Sequence, residues 1–145
     1  IDFSEYSFKA IDVAKAFVEE TSNLHLIHVT RPWDEHSIEG TWGQESEAER
    51  IRSIENAIQD HIKGTDHKDA HIAVHNGSPA VEIARYAEEV GAELIVMPSH
   101  GRTGIKHFAL GSIAERVLRR APCPVLVLRG GKKETGKEKT IIAYD

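Results

Sequence analysis

The sequence predicts a doubly wound α/β domain, a parallel sheet with helices on both faces. Three observations point there. Short apolar, β-branched-rich runs recur at residues 24–30, 70–75, 94–97 and 125–128. Between the first three and beyond the last glycine loop lie stretches whose apolar residues fall at steps of three and four, the helical repeat. The strand at 24–30 is also too continuously apolar for a sheet with one wet face, which fits an interior parallel strand. Strands alternating with helices through right-handed crossovers give a parallel sheet covered on both sides. At 145 residues with 40% hydrophobic composition, one domain with one core is expected.

Ile1, Asp2, Phe3 and Ser4 read as the end of a strand followed by a helix cap, so a strand is expected upstream. Ser4 caps a predicted helix to about Glu20, with Ala10, Val13, Ala14 and Phe17 on one buried face. After the strand at 24–30, residues 31–44 carry Pro32, Trp33, Gly40, Trp42 and Gly43 without a period and read as a loop. The tryptophans are read as packing over the sheet edge, with stacking on a ligand base as the alternative. From Ser46 to about Lys63, Ala48, Ile51, Ile54, Ile58 and Ile62 make an amphipathic helix that Gly64 stops. The strand at 70–75 leads through Asn76, Gly77 and Ser78 to Pro79, the first residue of a helix ending near Gly91. A strand at 94–97, a glycine loop, a helix with Ser112 as its N-cap, and a closing strand at 125–128 complete the order. That last strand carries neither a charge nor an internal proline, so its edge invites pairing with a second chain.

Composition excludes several function classes. No apolar run reaches 18 residues and the first residues lack a signal-peptide layout, so an intracellular, cytoplasmic protein without membrane contact is expected. Cys123 is the only cysteine, which rules out an internal disulfide and a cysteine-based zinc site; between two prolines it reads as packed. A formal charge of −5 argues against a dedicated nucleic-acid binder and for a small partner. Nine histidines raise the question of a metal. His71 and His75 share one face of a strand with His67 upstream, but no carboxylate or cysteine cluster completes a shell, and no metal site is expected. His25 and His28 face opposite ways and should each find a local hydrogen bond.

Function is expected in the stretch from Pro98 to Ser112. It joins a strand to a helix, the order that puts main-chain N–H groups and a positive helix end at the carboxyl edge of a parallel sheet, facing an anion. Gly101, Gly111 and Ser112 could donate to phosphate, and Arg102 and Lys106 could supply charge. The Walker Gly-x4-Gly-Lys-Ser/Thr pattern and the Gly-x-Gly-x-x-Gly pattern are both absent. A nucleophile elbow around Ser99 would need glycine where Met97 stands, and Ser99 cannot easily use its neighbour His100 as a base. No catalytic residue is therefore assigned, and slow hydrolysis of a bound phosphate ligand is the most an enzyme reading allows.

Several of these pieces together resemble the universal stress protein family: Asp2-Phe3-Ser4, the Leu-His-Leu-Ile-His-Val strand, His75-Asn76-Gly77-Ser78-Pro79, Ser99-His100-Gly101-Arg102-Thr103-Gly104, Leu110-Gly111-Ser112 and Ala121-Pro122-Cys123-Pro124-Val125-Leu126-Val127. They cover residues 1 to about 129 in the family's order and spacing. The resemblance implies a Rossmann-like five-stranded parallel sheet in the order 3-2-1-4-5, intracellular location, dimers, and ATP binding in one subgroup but not in another. It implies that Asp2 holds the ribose, that Val29 and Met97 border the adenine, and that Ile113 follows the phosphate-binding Ser112. In the family's Gly-x2-Gly-x9-Gly-Ser/Thr pattern, Gly101 and Gly111 match but Pro98 stands at the first glycine, where it removes an N–H and fixes φ. The resulting expectation is a dimeric stress-response regulator binding ATP, with or without Mg, at Asp2, Val29, Met97, Pro98, Gly101, Arg102, Gly111, Ser112 and Ile113. The alternative is a nucleotide-free dimerisation or interaction module whose site is lost at Pro98.

Residues 130–139 are Lys-, Gly- and Glu-rich and linker-like; residues 140–145 read as a further strand ending in Asp145, of the kind expected before Phe3. Three uses stay open: they fill the first-strand slot of this domain, fill that of a neighbouring chain, or open a second copy. The dimer is expected through the edge at 125–128.

Overall fold

The computed structural model describes residues 1–31, 46–99 and 110–129. The two tryptophans, Gly101, Arg102, Lys106 and the strand-like residues 140–145 lie outside them. Helix α1 (Glu5–Lys15) begins where Ser4 Oγ accepts the Ser7 N–H at 3.1 Å. It stops short of the expected Glu20. Ala16, Phe17 and Val18 donate to the carbonyls three residues back, tightening the last turn. Glu19 and Glu20 would have met the negative end of a longer helix. The tightened turn rotates Phe17 off the buried stripe, leaving it 61% exposed, and the buried face is Ser7, Ala10 and Ile11.

A short 3-10 turn (Thr21–Asn23) leads to β1 (His25–Thr30). Helix α2 (Glu47–Ile62) starts with a reciprocal cap: Ser46 Oγ accepts the Glu49 N–H, and the Glu49 carboxylate accepts the Ser46 N–H at 2.7 Å. Gly64, at φ +82°, turns the chain after it. Strand β2 (His71–Asn76), α3 (Pro79–Glu89) with Pro79 in its first turn, β3 (Ile95–Pro98), α4 (Ser112–Leu118) and β4 (Val125–Leu128) follow. The N-cap of α4 is Gly111, not Ser112. Gly111 is extended, and its carbonyl already accepts the Glu115 N–H at 2.9 Å, so Ser112 is the first helical residue.

The strands form two parallel pairs. β1 lies on β2 in the register His25↔His71 to Thr30↔Asn76, and β3 lies on β4 from Ile95↔Val125 to Pro98↔Leu128. Counted from the expected upstream strand, these are the 2–3 and 4–5 neighbours of the implied order. The described residues hold four strands in these two pairs, and the contacts through a first strand are not among them.

Alternation along β1 places the layers. Leu24 and Leu26 join Ile11 of α1 and Ile58 and Ile62 of α2 in one core, with Ile58 wholly buried. Burying one such isoleucine stabilises the fold by roughly 1.5–3 kcal/mol. On the other face His25 meets Tyr86 of α3. Helices therefore cover both faces of the β1–β2 pair, as the periodicity predicts. Helix α3 also packs on α4, whose Ala114 and Val117 are buried.

Candidate functional site at the carboxyl ends of the strands

Ladder bonds decide which main-chain groups remain for a ligand. Leu24 O accepts the His71 N–H at 2.8 Å and Thr30 O accepts the Gly77 N–H at 2.9 Å. Even-numbered residues of β1 thus turn their main-chain groups toward β2, and odd-numbered ones turn theirs to the opposite edge. On that edge Ile27 O accepts the main-chain nitrogen of Ile1. Val29, the next odd residue, presents its N–H and C=O side by side there, one residue before the strand ends.

The same logic explains Pro98. Ile95 N–H donates to Pro124 O at 3.0 Å and Ser99 N–H to Leu128 O at 2.7 Å, so odd-numbered residues of β3 bond β4. The ring nitrogen of Pro98 lies on the other edge, and no ladder bond to β4 is lost, the condition under which a strand tolerates proline. Directly after it, Ser99 is 6% exposed, and its carbonyl accepts the Gly111 N–H at 2.8 Å. That bond ties the two stems of the glycine loop together and sets Ser112 and Ile113 beside the end of β3. As the first helical residues, these two have N–H groups without an intrahelical acceptor.

Asp2 approaches from the segment before α1. Its Oδ1 accepts the Ser4 hydroxyl at 2.6 Å and the Ser4 N–H at 3.1 Å. Burial pushes its pKa up, but the bonds from Ser4, then Ser7, outweigh burial and hold the carboxyl below its ordinary value, so it is ionised at neutral pH. Phe3, at φ +60°, makes the sharp turn between Asp2 and the helix, a conformation that costs about 1–3 kcal/mol in a non-glycine residue. Its ring is held against Phe8 and His28. Ile1 lies on β1 and α1 packs against β3, so Asp2 sits in the segment bridging the two strand pairs.

Of the expected site residues, Val29, Met97 and Pro98 are at the carboxyl ends of β1 and β3, and Gly111, Ser112 and Ile113 are at the start of α4. Gly101 and Arg102 fall outside the described residues. Sequence reasoning missed the polar support beside them. Thr30 is buried and its Oγ1 donates to His75 O at 3.3 Å, while Asn76 Nδ2 donates to Glu47 Oε1 at 2.8 Å, tying β2 to α2. Only the turn-forming character of Asn76 hinted at this.

The histidines find local partners as expected. His25 Nδ1 is 2.9 Å from Tyr86 Oη and its ring stacks on His71, with centroids 4.7 Å apart; His28 Nδ1 donates to Ile1 O at 2.6 Å. Among the described residues no group of three or more His, Cys, Asp or Glu side chains could hold a metal. Burial raises the Cys123 thiol, keeping it protonated and unreactive. No described helix is long and apolar enough to cross a membrane. A cleft of about 570 Å³ opens at the far end of α1 and α2, lined by Phe8, Asp12, Lys15, His61 and His67 among others. Asp12 and His67 in its wall already pair with each other at 2.9 Å.

The fold and this edge define a doubly wound, Rossmann-like α/β domain, the class in which ligands meet the carboxyl ends of the strands. The chain belongs to the universal stress protein family, whose model matches residues 1–129. It is 38% identical over 132 residues to Universal stress protein MJ0531 of Methanocaldococcus jannaschii, covering 86% of this chain and 74% of that one. It is 34% identical over 144 residues to Universal stress protein YxiE of Bacillus subtilis, covering 89% and 95%. Among solved structures it resembles a universal stress protein in complex with cAMP, with a TM-score of 0.58 at 26% identity over 90% of this chain and 93% of the other.

Proposed function

We propose that this domain binds ATP or a related adenine nucleotide at the carboxyl ends of β1 and β3 and acts as a dimeric regulator of the stress response, without catalytic turnover. The observation that carries this is the edge of Val29, whose N–H and C=O are turned away from β2 and make no main-chain bond among the described residues. An N–H beside a C=O complements the N1 acceptor and N6 amino donor of adenine. Met97 would cover the base with Val29, and the ionised Asp2 would accept from the ribose hydroxyls. Ser112, through its hydroxyl and N–H, would meet phosphate together with Ile113, and Gly101 and Arg102 of the loop would complete the cradle. The similar protein solved with cAMP supports an adenine ligand.

The same proposal includes the five-stranded order 3-2-1-4-5, with residues 140–145 supplying a strand of the first type in cis, by exchange, or to a second copy. It includes a two-fold dimer through β4, where pairing the same strand about the axis protects both edges.

Thermal unfolding with and without millimolar Mg-ATP or AMP tests the nucleotide reading, with Gly111→Asp as the control variant. Aspartate is a favourable N-cap, so the variant should fold while its carboxylate repels phosphate. A ligand at a hundredfold excess over its Kd adds about 2.7 kcal/mol of stability. The account expects a raised midpoint that Gly111→Asp abolishes. No shift in a folded dimer overturns it and leaves the interaction module.

A further inference from the structure

Lys15 ends α1, Ile62 ends α2, and the turn Thr21–Asn23 feeds β1. The cleft of about 570 Å³ that these helices border therefore lies at the amino ends of the strands, the edge opposite Val29 and Ser112. Its volume is in the range of small-molecule sites. Ile11 and Ile62, both buried, supply an apolar floor, and Phe8 lies nearly flat on the His61 ring, with centroids 3.5 Å apart and 19° between the planes. The turn after α2 is tied down on both sides. His67 Nε2 is 2.9 Å from Asp12 Oδ1 on α1, and Asp66 O accepts the Thr21 hydroxyl at 3.2 Å.

Asp12 and His67 satisfy each other. Lys15 from α1 and Asp66 from the turn also line the cleft, and neither charged group has an ion-pair or hydrogen-bond partner among the described residues. Opposite charges on one cavity attract, yet these two do not close on each other. An ammonium and a carboxylate are thus left apart beside an apolar floor. A simple anion there would meet Asp66 as a like charge, and a simple cation would meet Lys15. Among the described residues no group of three side chains could hold a metal. The ligand that answers both charges carries the inverse pair, a carboxylate for Lys15 and an ammonium for Asp66, on an apolar body. We propose that this cleft binds a free α-amino acid with a large apolar or aromatic side chain. Lys15 holds its carboxylate, Asp66 holds its ammonium, and the side chain rests on Ile11 and Ile62 beside the Phe8 and His61 rings. The site is separate from the nucleotide edge and does not depend on it.

An NMR titration of the labelled chain with phenylalanine and with leucine, to about 30 mM, tests it. The Lys15, Ile62 and His67 amides should move together and saturate with a Kd of about 1 mM or tighter, the range open to so small a ligand, while the Val29 amide stays in place. 3-Phenylpropionate lacks the ammonium and phenethylamine lacks the carboxylate. Each should bind about tenfold more weakly than phenylalanine, the worth of one charge-assisted hydrogen bond. Lys15→Gln should erase the advantage of phenylalanine over phenethylamine and retain its advantage over phenylpropionate; Asp66→Asn should do the reverse. Both variants keep the Asp12–His67 pair and the Asp66 carbonyl bond to Thr21, so the fold should hold. Because each variant loses a different preference, a general loosening of the cleft cannot imitate the result. Equal affinity for phenylalanine and its two singly charged analogues would overturn the proposal. So would equal losses for all three ligands in variants that keep the natural unfolding midpoint, largest shifts at Val29 and Ser112, or no movement of the cleft amides at the end of the titration.

Discussion

Exchanging adenine for guanine should nearly abolish binding, and the magnitude follows from the edge of β1. Val29 presents one donor and one acceptor, both turned away from β2 by the His71–Leu24 and Gly77–Thr30 ladder bonds. Adenine would satisfy both. Guanine in the same place sets its O6 against the Val29 carbonyl and its N1–H against the Val29 N–H. Two hydrogen bonds are lost and two main-chain groups are left desolvated without partners, at roughly 1–3 kcal/mol for each unpaired group. Taking about 3 kcal/mol for the pair gives a discrimination of roughly 150-fold. Purine riboside monophosphate lacks only the amino group and should fall between the two, weaker than AMP by about tenfold for one lost bond. Competition of AMP, GMP and the purine riboside analogue against a fluorescent adenine nucleotide measures all three. GMP competing within threefold of AMP would refute the assignment of Val29 to the base.

Three further outcomes test the frame around the site. Ile58→Ala, at a wholly buried position between α2 and β1, should destabilise the fold by about 2–5 kcal/mol in chemical denaturation, and a loss under 1 kcal/mol would remove Ile58 from the core. Burial lowers the pKa of His28 below its ordinary 6.5, with the Ile1 carbonyl bond partly offsetting it, and burial and then His71 lower His25. Below about pH 6.5 the unfolded chain then binds more protons than the folded one, so stability falls on acidification. His28→Gln, which retains a donor for Ile1, should flatten the midpoint's fall between pH 7 and 5; an unaltered slope would place the titration elsewhere. Val127→Lys puts a charge on the β4 edge and should turn the proposed dimer into a monomer in light scattering, whereas a persisting dimer would move the interface off β4.

Much of the fold was legible because burial writes itself into periodicity. Ile51, Ile54, Ile58 and Ile62 marked α2 almost to the residue, and Ser46 with Glu49 announced its start through a reciprocal cap. Strand β4 was legible as an unbroken apolar run. The end of α1 was not, because no glycine or proline punctuates it; a tightened turn and two unfavourable glutamates ended it instead. The N-cap of α4 was misplaced by one residue because the Gly111 main chain did the work expected of the Ser112 side chain. At the site, the motifs offered Asp2, Met97, Pro98, Gly111, Ser112 and Ile113 as candidates, but they carried no information about hydrogen-bond direction. That Val29 turns its main-chain groups away from β2 follows from strand register, and that Gly111 spends its N–H on Ser99 follows from how the loop stems close. The support from Thr30 and Asn76 was invisible for the same reason.

The most direct measurement is an amide-resolved NMR titration of the isotopically labelled protein with AMP. The account predicts that the Val29, Ser112 and Ile113 amides move together and saturate at one Kd, while those of Ile62 and Val125, at the opposite ends of their elements, stay in place. Largest shifts at Phe8, His61 and His67, around the cleft between α1 and α2, or no shift at Val29, would contradict it.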